Sequence, residues 1–436
     1  MRRDQPAASP LAHAAARRYP ADIPRAVMGI CLMRRRPLLA AALIALPACT
    51  QAQTNVGAVK PDADQPFTLT TIEHFHFPWK IAFLPDQRLL VTEKPGKMWL
   101  VTPGKNKIEV SGVPAVAYAG QGGLLAVAVA PSFATDHGIY LSYSEGTPDS
   151  SGLALAHATL VAENGQARLD GFKVIWRQLP RGAGGQFGAY IAFAPDGKSL
   201  FLASGERMRF TPAQDPDQAL GKILHLTLDG KPAPGNPWAG KQGATTVIVT
   251  DPPADTEAAK TVEGRKGTVP APNMTPAETW TLGHRNQYGL AFDASGKLWE
   301  TEMGPRGGDE LNLIEPGKNY GFPQVSYGIN YNGTPIPNHD STDRYQKPAL
   351  YWTPIIAPAG LTFYYGNLFP QWKGSAFIGA LGGTGLIRVA FDGGPHQANR
   401  WNLGHRIRDV VAGPGGALWL IEDETNGRLL RLTPKQ

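Results

Sequence analysis

The amino-acid sequence predicts an all-β fold, more specifically a six-bladed β-propeller. An apolar strand, a Pro/Asp/Gly turn and a second apolar strand recur about six times along the chain. The copies follow one another at a spacing of roughly 40–50 residues, which is typical of propeller blades. No long helical pattern interrupts them. A β-sandwich would not require so many similar units, so the propeller is favoured.

Each copy begins with an apolar run that we interpret as the first strand of a blade. The copies begin at Pro78, Leu124, Tyr190, Gly289, Leu361 and Val410. Propellers bind ligands at one end of the central channel, where loops of several blades converge. A functional site in this fold would therefore combine residues that are distant in the sequence.

Residues 1–53 are predicted to be an N-terminal extension and signal peptide. The basic group Met33-Arg34-Arg35-Arg36 precedes an apolar run, 37–46, that is too short to span a bilayer. Leu46-Pro47-Ala48-Cys49 resembles a bacterial lipoprotein cleavage box in which Cys49 is lipidated. Ordinary cleavage near residues 51–53 is the alternative. The protein is therefore expected to be periplasmic, either soluble or held at a membrane by a lipid.

The rest of the chain is predicted to contain a linker, 54–66, and the propeller domain, 67–436. A segment rich in Pro, Ala, Thr and Lys, 241–277, breaks the repeat and has one strand-like run, 246–249. We interpret it as an inserted surface loop. A plain solvated insertion is favoured over one that covers the channel mouth.

The net charge of +6 belongs to the leader and not to the folded domain. Residues 1–48 contain eight arginines, two aspartates and no lysine or glutamate, so 34 of the 42 basic and 34 of the 36 acidic residues follow them. A neutral domain gives no support for nucleic-acid binding. Both cysteines, Cys31 and Cys49, lie in the leader region, which excludes disulfides and thiol chemistry from the domain.

One stretch, 283–331, is unusually rich in polar turns. Arg285 and Asn286 offer a charged fork next to a neutral amide, a pairing that suits a planar anionic ligand. A Gly304-Pro305 step and the glycines after it let backbone groups face a ligand. Carbonyls next to carboxylates suit calcium. Ordinary turns remain the alternative for each loop, and a structural role is favoured for His284.

The chain from about residue 67 to its end resembles the soluble quinoprotein sugar dehydrogenases, the glucose/sorbosone or aldose dehydrogenase family that uses pyrroloquinoline quinone (PQQ). The matching motifs occur in the family's order. They include Gly120-Gln121-Gly122-Gly123, Gly283-His284-Arg285-Asn286, Gly304-Pro305-Arg306-Gly307-Gly308-Asp309-Glu310, Asn319-Tyr320-Gly321-Phe322-Pro323 and Arg406-Ile407-Arg408-Asp409-Val410. The resemblance implies a six-bladed propeller.

The resemblance also implies a cofactor and metal site. The residues that it places around PQQ and the sugar are Gln121, Arg285, Asn286, Asp309, Arg406 and Arg408. The carbonyls of Gly304 and Pro305 match ligands of a calcium ion that PQQ also coordinates. Glu310 and Tyr320 match part of a second, structural calcium site. In that family, a histidine takes the proton of the sugar's anomeric hydroxyl while hydride passes to PQQ, and a lactone results.

This sequence departs from the family pattern at the base. Gln186 stands where the histidine is expected, and an amide has no basic lone pair near neutral pH. Tyr190 replaces the arginine of the same motif, and Met303 replaces a polar residue before Gly304. Loss of a general base costs about 10²–10⁴ in rate. Glu206 or Asp215 is considered as a substitute base.

The sequence leaves three hypotheses for the function. The first is an exported PQQ- and calcium-dependent dehydrogenase of an aldose sugar, with an unknown electron acceptor, impaired by Gln186. The second is a non-catalytic binding propeller, and the third is a calcium-dependent lactone hydrolase. Arg207 and Arg209 are expected to serve an anionic ligand or to be solvated loop charges, with equal weight.

Overall fold

The computed structural model describes residues 54–435, which are built almost entirely of β-strands. The predicted signal peptide and the candidate lipidation residue Cys49 lie outside these residues. No helix among the described residues is long and apolar enough to cross a membrane. The α-helices of the described part are one turn long: α1 (Phe133–Asp136), α2 (Ala258–Thr261) and α3 (Thr275–Glu278).

The strands are short and are separated by turns that contain glycine, proline or aspartate. In chain order they are β1 (Thr54–Asn55), β2 (Phe67–Phe75), β3 (Pro78–Phe83), β4 (Leu89–Glu93), β5 (Lys97–Val101), β6 (Ile108–Ser111), β7 (Leu124–Val129), β8 (Gly138–Thr147), β9 (Ser150–Glu163), β10 (Gln166–Arg177), β11 (Gly188–Phe193), β12 (Ser199–Ser204), β13 (Lys222–Thr227), β14 (Thr246–Val249), β15 (Arg265–Thr268), β16 (Thr279–Leu282), β17 (Gln287–Phe292), β18 (Leu298–Glu302), β19 (Arg306–Gly307), β20 (Asp309–Ile314), β21 (Gly328–Ile329), β22 (Leu350–Trp352), β23 (Pro358–Phe363), β24 (Ala376–Ala380), β25 (Gly385–Ala390), β26 (His396–Asn402), β27 (Ile407–Ala412), β28 (Leu418–Glu422) and β29 (Gly427–Pro434).

Four-stranded antiparallel units follow one another along the chain. They are β3–β6, β7–β10, β11-β12-β13-β16, β17-β18-β20-β22, β23–β26 and β27–β29 with β2. The first two units are joined into one sheet by the parallel pair β6 and β10. The first strands of successive units are neighbours, and β27 lies next to β3. The all-β prediction is thus confirmed, and the arrangement is consistent with a β-propeller.

The last unit is completed by a strand from the start of the described chain. β2 pairs antiparallel with β29, so that Phe67 lies opposite Pro434 and Phe75 opposite Gly427. β1 pairs in parallel with β22, and Val56 after it is buried. Part of the segment predicted as a linker therefore packs on the sheets.

The inner strands are apolar because they are covered on both faces. All five residues of β4 are buried, for example, and aromatic side chains fill the space between inner strands. The ring centroid of Trp79 lies 5.1 Å from that of Tyr190 and 5.7 Å from that of Tyr288. The hydroxyl of Tyr190 donates to Asp409 Oδ1 (3.1 Å), which also binds Lys80. Tyr190, the departure noted above, is thus an interior residue.

The segment 241–277 is not a plain solvated loop, and that interpretation was wrong. Its predicted strand is β14, which forms a hairpin with β15. Val247 and Val249 are buried against Val269 and Leu179. The hairpin therefore packs on a small apolar cluster that also includes Leu179.

Candidate active site

Arg285 lies in the turn between β16 and β17. Gly283 enters this turn with φ +81°, and a Cβ there would lie 2.1 Å from Asn319 Oδ1, so the position requires glycine. The Arg285 side chain is buried, and its Nη1 donates to the carbonyls of Met303 (2.9 Å) and Gly304 (2.6 Å). The backbone N–H of Arg285 donates to Glu302 (2.6 Å). Arg285 is therefore fixed to the Met303-Gly304 turn.

Gln186 lies between Arg285 and Glu206. Its amide oxygen accepts from Arg285 Nη2 (2.8 Å) and its NH2 donates to Glu206, since the opposite orientation would place donor against donor. Glu206 also accepts from the backbone N–H groups of Met208 (2.9 Å), Arg209 (2.6 Å) and Phe210 (2.6 Å). Burial raises the pKa of Glu206, although Arg285 and these N–H groups act in the opposite direction.

Gln121 connects Gln186 to the opposite side of the site. Its Oε1 accepts from the backbone N–H of Gln186 (2.7 Å) and from the hydroxyl of Tyr288 (3.3 Å). The guanidinium carbon of Arg408 lies 5.4 Å from the ring centroid of Tyr288. Residues of four different sheets thus meet within one set of contacts.

Arg406 and Arg408 share one carboxylate. Asp423 Oδ2 accepts from Arg406 Nη2 (2.9 Å) and from Arg408 Nη2 (2.6 Å), and Lys94 Nζ lies 3.4 Å from Asp423 Oδ1. Burial disfavours the charged form of Asp423, but Arg408 and Lys94 outweigh it and lower the pKa. Nε and Nη1 of Arg408 are buried and have no hydrogen-bond partner among the described residues. These two donors are therefore unsatisfied within the described part of the chain.

Asn286 and Asp309 complete the predicted set, but they act differently. Asn286 Nδ2 contacts the sulfur of Met303 at 3.6 Å, so the replacement of a polar residue by Met303 leaves a weak acceptor. Asp309 accepts from the N–H groups of Gly304 (2.9 Å) and of residues 356 and 357 (2.7 Å each). Burial raises the pKa of Asp309 to about 7. The structure places Asp309 as a support of the Gly304-Pro305 turn.

The first predicted calcium site can be compared with the observed Gly304-Pro305 turn. Gly304 O already accepts a short hydrogen bond from Arg285 Nη1. A calcium ion on this carbonyl would face a like charge, so Nη1 would have to leave it. This carbonyl therefore fits a calcium ion only after a local movement of Arg285.

A second group of oxygen atoms offers the carboxylates of a cation site, although the amide of Asn312 donates to them in this structure. Asn312 Nδ2 lies between the carboxylates of Glu300 (3.1 Å), Glu302 (3.3 Å) and Glu310 (3.1 Å). Glu300, Glu302 and His284 offer ligand atoms within 4.8 Å of one another. Glu300 Oε1 is buried without a partner among the described residues. Burial and the neighbouring Glu302 raise the pKa of Glu300 well above its usual value. Carboxylate oxygens are the ligands that calcium prefers.

Tyr320, predicted for the second calcium site, lies beside this group. Its hydroxyl donates to Leu313 O (2.5 Å) and accepts from the N–H of Glu315 (3.0 Å), while its ring stacks on His284 at 4.6 Å. Only the backbone carbonyl of Tyr320 could therefore serve as a ligand. His284 also binds Thr281 (2.9 Å), in the structural role expected for it.

Comparisons with known proteins identify the family of this chain. The family described as Glucose / Sorbosone dehydrogenase matches residues 75–251 and 263–431. The chain belongs to the glucose/sorbosone dehydrogenase family. Aldose sugar dehydrogenase YliI of Escherichia coli is 37% identical over 82% of this chain and 90% of its own. This membership confirms the predicted family and the prediction of an enzyme, a sugar dehydrogenase.

Solved structures of the family superpose on the fold. The apo-form crystal structure of the soluble aldose sugar dehydrogenase from Escherichia coli has a TM-score of 0.73 at 35% identity, covering 85% of this chain and all of that chain. The PQQ-bound form of aldose sugar dehydrogenase from Streptomyces coelicolor has a TM-score of 0.63 at 26% identity, covering 86% of this chain and all of that chain.

Several residues of the site were not identified from the family motifs. Asp423 and Lys94 hold the arginines of the last unit, and Tyr331 lies beside Arg285, with its hydroxyl 3.4 Å from Nη2. Tyr331 is 64% exposed, although its hydroxyl lies next to the buried guanidinium of Arg285. Only a weak indication of Asp423 is present in the sequence, namely its position directly after the strand β28. Met303 has the equivalent position after β18. Asp215 binds Gln218 (2.8 Å) and is not part of this set of contacts.

The expectation of solvated loop charges was wrong for Arg207 and Arg209. The Arg207 guanidinium is fully engaged by the protein, whereas Nε and Nη1 of Arg209 have no hydrogen-bond partner among the described residues, so binding of an anionic ligand by Arg209 stays a prediction. Both are buried. Arg207 donates to the carbonyls of Ser151, Gly182, Gly184 and Gly185. Arg209 donates to Ala183 O (2.7 Å). Together they fix the glycine-rich loop that ends at Gln186.

Proposed function

We propose that the chain is an exported dehydrogenase of aldose sugars that uses PQQ and calcium, on a ring of six blades. The observation that carries the proposal is the chain of contacts from Arg285 through Gln186, Gln121 and Tyr288 to Arg408, which shares Asp423 with Arg406. Two buried donors of Arg408 have no partner among the described residues, and we assign them to the ligand. The similarity to a PQQ-bound aldose sugar dehydrogenase supports PQQ as that ligand. The leader sequence supports export to the periplasm, with Cys49 as the candidate lipid anchor.

The cationic side chains fit a planar ligand with several carboxylates. Three cations, Lys94, Arg406 and Arg408, share the single carboxylate of Asp423, so two positive charges remain for a ligand. Guanidinium groups bind carboxylates in a planar, charge-assisted geometry. PQQ, when bound, supplies a two-electron hydride acceptor. Arg285 and Asn286 would orient its quinone end beside Gln186.

The proton of the sugar hydroxyl has no strong acceptor at Gln186. The amide oxygen of Gln186 is held by Arg285, and its NH2 is held by Glu206. The nearest titratable acceptor is the Glu206 carboxylate, which lies behind the amide and is 1% exposed. We therefore propose slow turnover compared with relatives that have a histidine at this position.

Calcium is proposed at the carboxylate group of Glu300, Glu302 and Glu310. Among the described residues, only the imidazoles of His284 and His339 lie in ion-pair distance of these buried carboxylates. A divalent ion would offset the mutual repulsion of the carboxylates. A calcium ion at Gly304 is a further proposal and requires Arg285 to shift.

The proposal is tested by adding PQQ to the purified protein in the presence and in the absence of calcium. We expect PQQ binding by fluorescence or calorimetry, and reduction of a redox dye with at least one aldose of a sugar panel. Absence of PQQ binding under both conditions would reject the function.

A binding propeller without turnover is the second candidate. The hydrogen-bonded Gln186 amide favours it, because every polar atom of that side chain is already engaged. PQQ binding without dye reduction by any sugar would favour this candidate over the dehydrogenase.

A further inference from the structure

The family match has one gap, and the residues in that gap contact the active-site rim. The match covers residues 75–251 and 263–431, which leaves 252–262 unmatched. The unmatched residues form the tip of the β14–β15 hairpin and include α2. They are ordered internally, since Asp255 Oδ1 accepts from the N–H of Ala258 (2.6 Å) at the start of α2.

The tip is joined to the loop that follows β21 by hydrogen bonds in both directions. The N–H of Thr256 donates to Asn330 Oδ1 (3.2 Å), and Asn330 Nδ2 donates to Thr256 Oγ1 (3.2 Å). Asn332 Nδ2 donates to Asp255 Oδ2 (2.5 Å). Thr256 and Asn330 are buried, at 4% and 1% exposure. Water therefore competes little for the bonds between Thr256 and Asn330.

The two asparagines flank Tyr331. The loop around them is a tight turn, in which the N–H of Asn330 donates to Thr334 O (3.0 Å) and the N–H of Gly333 to Asn330 O (2.9 Å). Tyr331 projects from this turn toward Arg285, with its ring centroid 5.8 Å from the guanidinium carbon. Both chain neighbours of Tyr331 are thus held by the same unmatched segment.

We propose that residues 252–262 are a clamp that positions Tyr331 over Arg285 and thereby strengthens ligand binding at the active site. Thr256 and Asp255 are its positioning residues. The inference rests on the proposed function for the identity of the ligand, PQQ, but not for the clamp itself. An aromatic ring that is already in place loses less conformational freedom on binding. The clamp therefore predicts tighter binding without any direct contact between residues 252–262 and the ligand.

Hydrogen exchange in the ligand-free protein tests the clamp independently of PQQ. Val249 pairs with Arg265, so residues 250–264 can be replaced by Asn-Gly, the preferred two-residue turn, without loss of the hairpin. We expect the amides of Asn330 and Gly333 to exchange at least ten-fold faster in this variant. Glu257→Ala is the matched control, because the Glu257 side chain is exposed on the same tip and its ion-pair partner in the described part of the chain is Lys260. Unchanged exchange in the shortened variant would overturn the clamp.

A double-mutant cycle tests whether the clamp acts through Tyr331. Thr256→Val removes one hydroxyl and is expected to weaken PQQ binding about three-fold, and Tyr331→Leu is expected to weaken it more. The double variant should bind as Tyr331→Leu alone does, while Glu257→Ala should bind as the unaltered protein does. Independent, additive effects would overturn action through Tyr331. If no variant and no unaltered protein binds PQQ, the proposed function fails, and the exchange experiment still decides the clamp.

Discussion

The two sides of the active site hold their cations in different ways. On the side of the third and fourth units, Arg207 and Arg285 donate mainly to backbone carbonyls. Lys222, a buried lysine at the start of β13 in the third unit, does the same, and its Nζ binds the carbonyls of residues 212, 213 and 220 at 2.8–3.1 Å. On the side of the last unit, Arg406 and Arg408 bind a carboxylate, Asp423.

The cations bound by carbonyls and those bound by a carboxylate also differ in their pKa values. Burial lowers the pKa of Lys222 to about 7 and that of Arg207 to about 9. Burial also disfavours the charged form of Arg408, but the attraction of Asp423 outweighs burial, so the pKa of Arg408 is raised. Carbonyl dipoles therefore fix geometry at a cost in charge stability, whereas a carboxylate keeps a buried arginine charged. We infer that the first side shapes the site and the second supplies its charge.

Gln186→His is expected to have the largest effect, because it adds a base on the side that shapes the site. Glu206 is placed to orient the new imidazole through a hydrogen bond. We expect kcat for an aldose to rise about 100-fold near neutral pH, since a positioned general base contributes about 10²–10⁴. Steady-state dye reduction measures it, and Gln186→Asn, which keeps an amide, is the control. Equal kcat for the unaltered chain and Gln186→His would contradict the assignment of this position.

Arg408→Met tests the charged side. It removes the buried donors while Asp423 keeps Arg406 and Lys94 as partners. A charge-assisted hydrogen bond is worth about 1.5–3 kcal/mol, so we expect the Kd for PQQ to rise about 30-fold. Arg431→Met, at an exposed arginine outside the site, is the matched control. A similar Kd for both variants would remove Arg408 from the cofactor site.

Calcium removal tests the carboxylates of the fourth unit. Chelation is expected to lower the Tm by about 5 °C, because an ion at about 100 times its Kd contributes about 2.7 kcal/mol. Glu300→Gln should make the Tm insensitive to chelator, since it removes one ligand charge. Differential scanning calorimetry measures both, with magnesium as the control ion. A chelator-independent Tm in the unaltered protein would exclude calcium from this group.

Lys222→Met is expected to have the smallest effect of these substitutions, and the effect is on the free energy of unfolding. The folded pKa of about 7 lies below the unfolded value of about 10.4, so between these pH values the unfolded chain binds more protons. Stability then rises with pH across this window. Relative to Lys222→Met, the free energy of unfolding of the unaltered protein should increase from pH 7 to pH 10. Denaturant titrations that give a constant difference would show that the carbonyls keep Lys222 charged.

Much of the fold could be predicted because each strand is a local pattern. The run at Tyr190 and the turn after it are visible without any partner strand, and β14 coincides with its predicted run. Arg285 and Arg408 could be assigned only through family motifs, since a charged loop residue has no pattern of its own. The assignment of Gln186 to the position of the base remains a prediction.

The remaining features depend on which strand ends meet in space. Asp423 and Lys94 are more than 300 residues apart, and nothing local marks them as an ion pair. Glu300, Glu302 and Glu310 look like the polar face of ordinary strands until β18 and β20 are paired in register. The contact between Thr256 and Asn330 joins two turns, and turn residues are common in any loop.

The pairing of β2 with β29 has a consequence for how the protein is made. The partner of β2 is the last strand of the chain, so the final sheet cannot form before residues 427–434 leave the ribosome. Until then, β2 has no neighbouring strand in its sheet, and the ring of units cannot be closed by this pair.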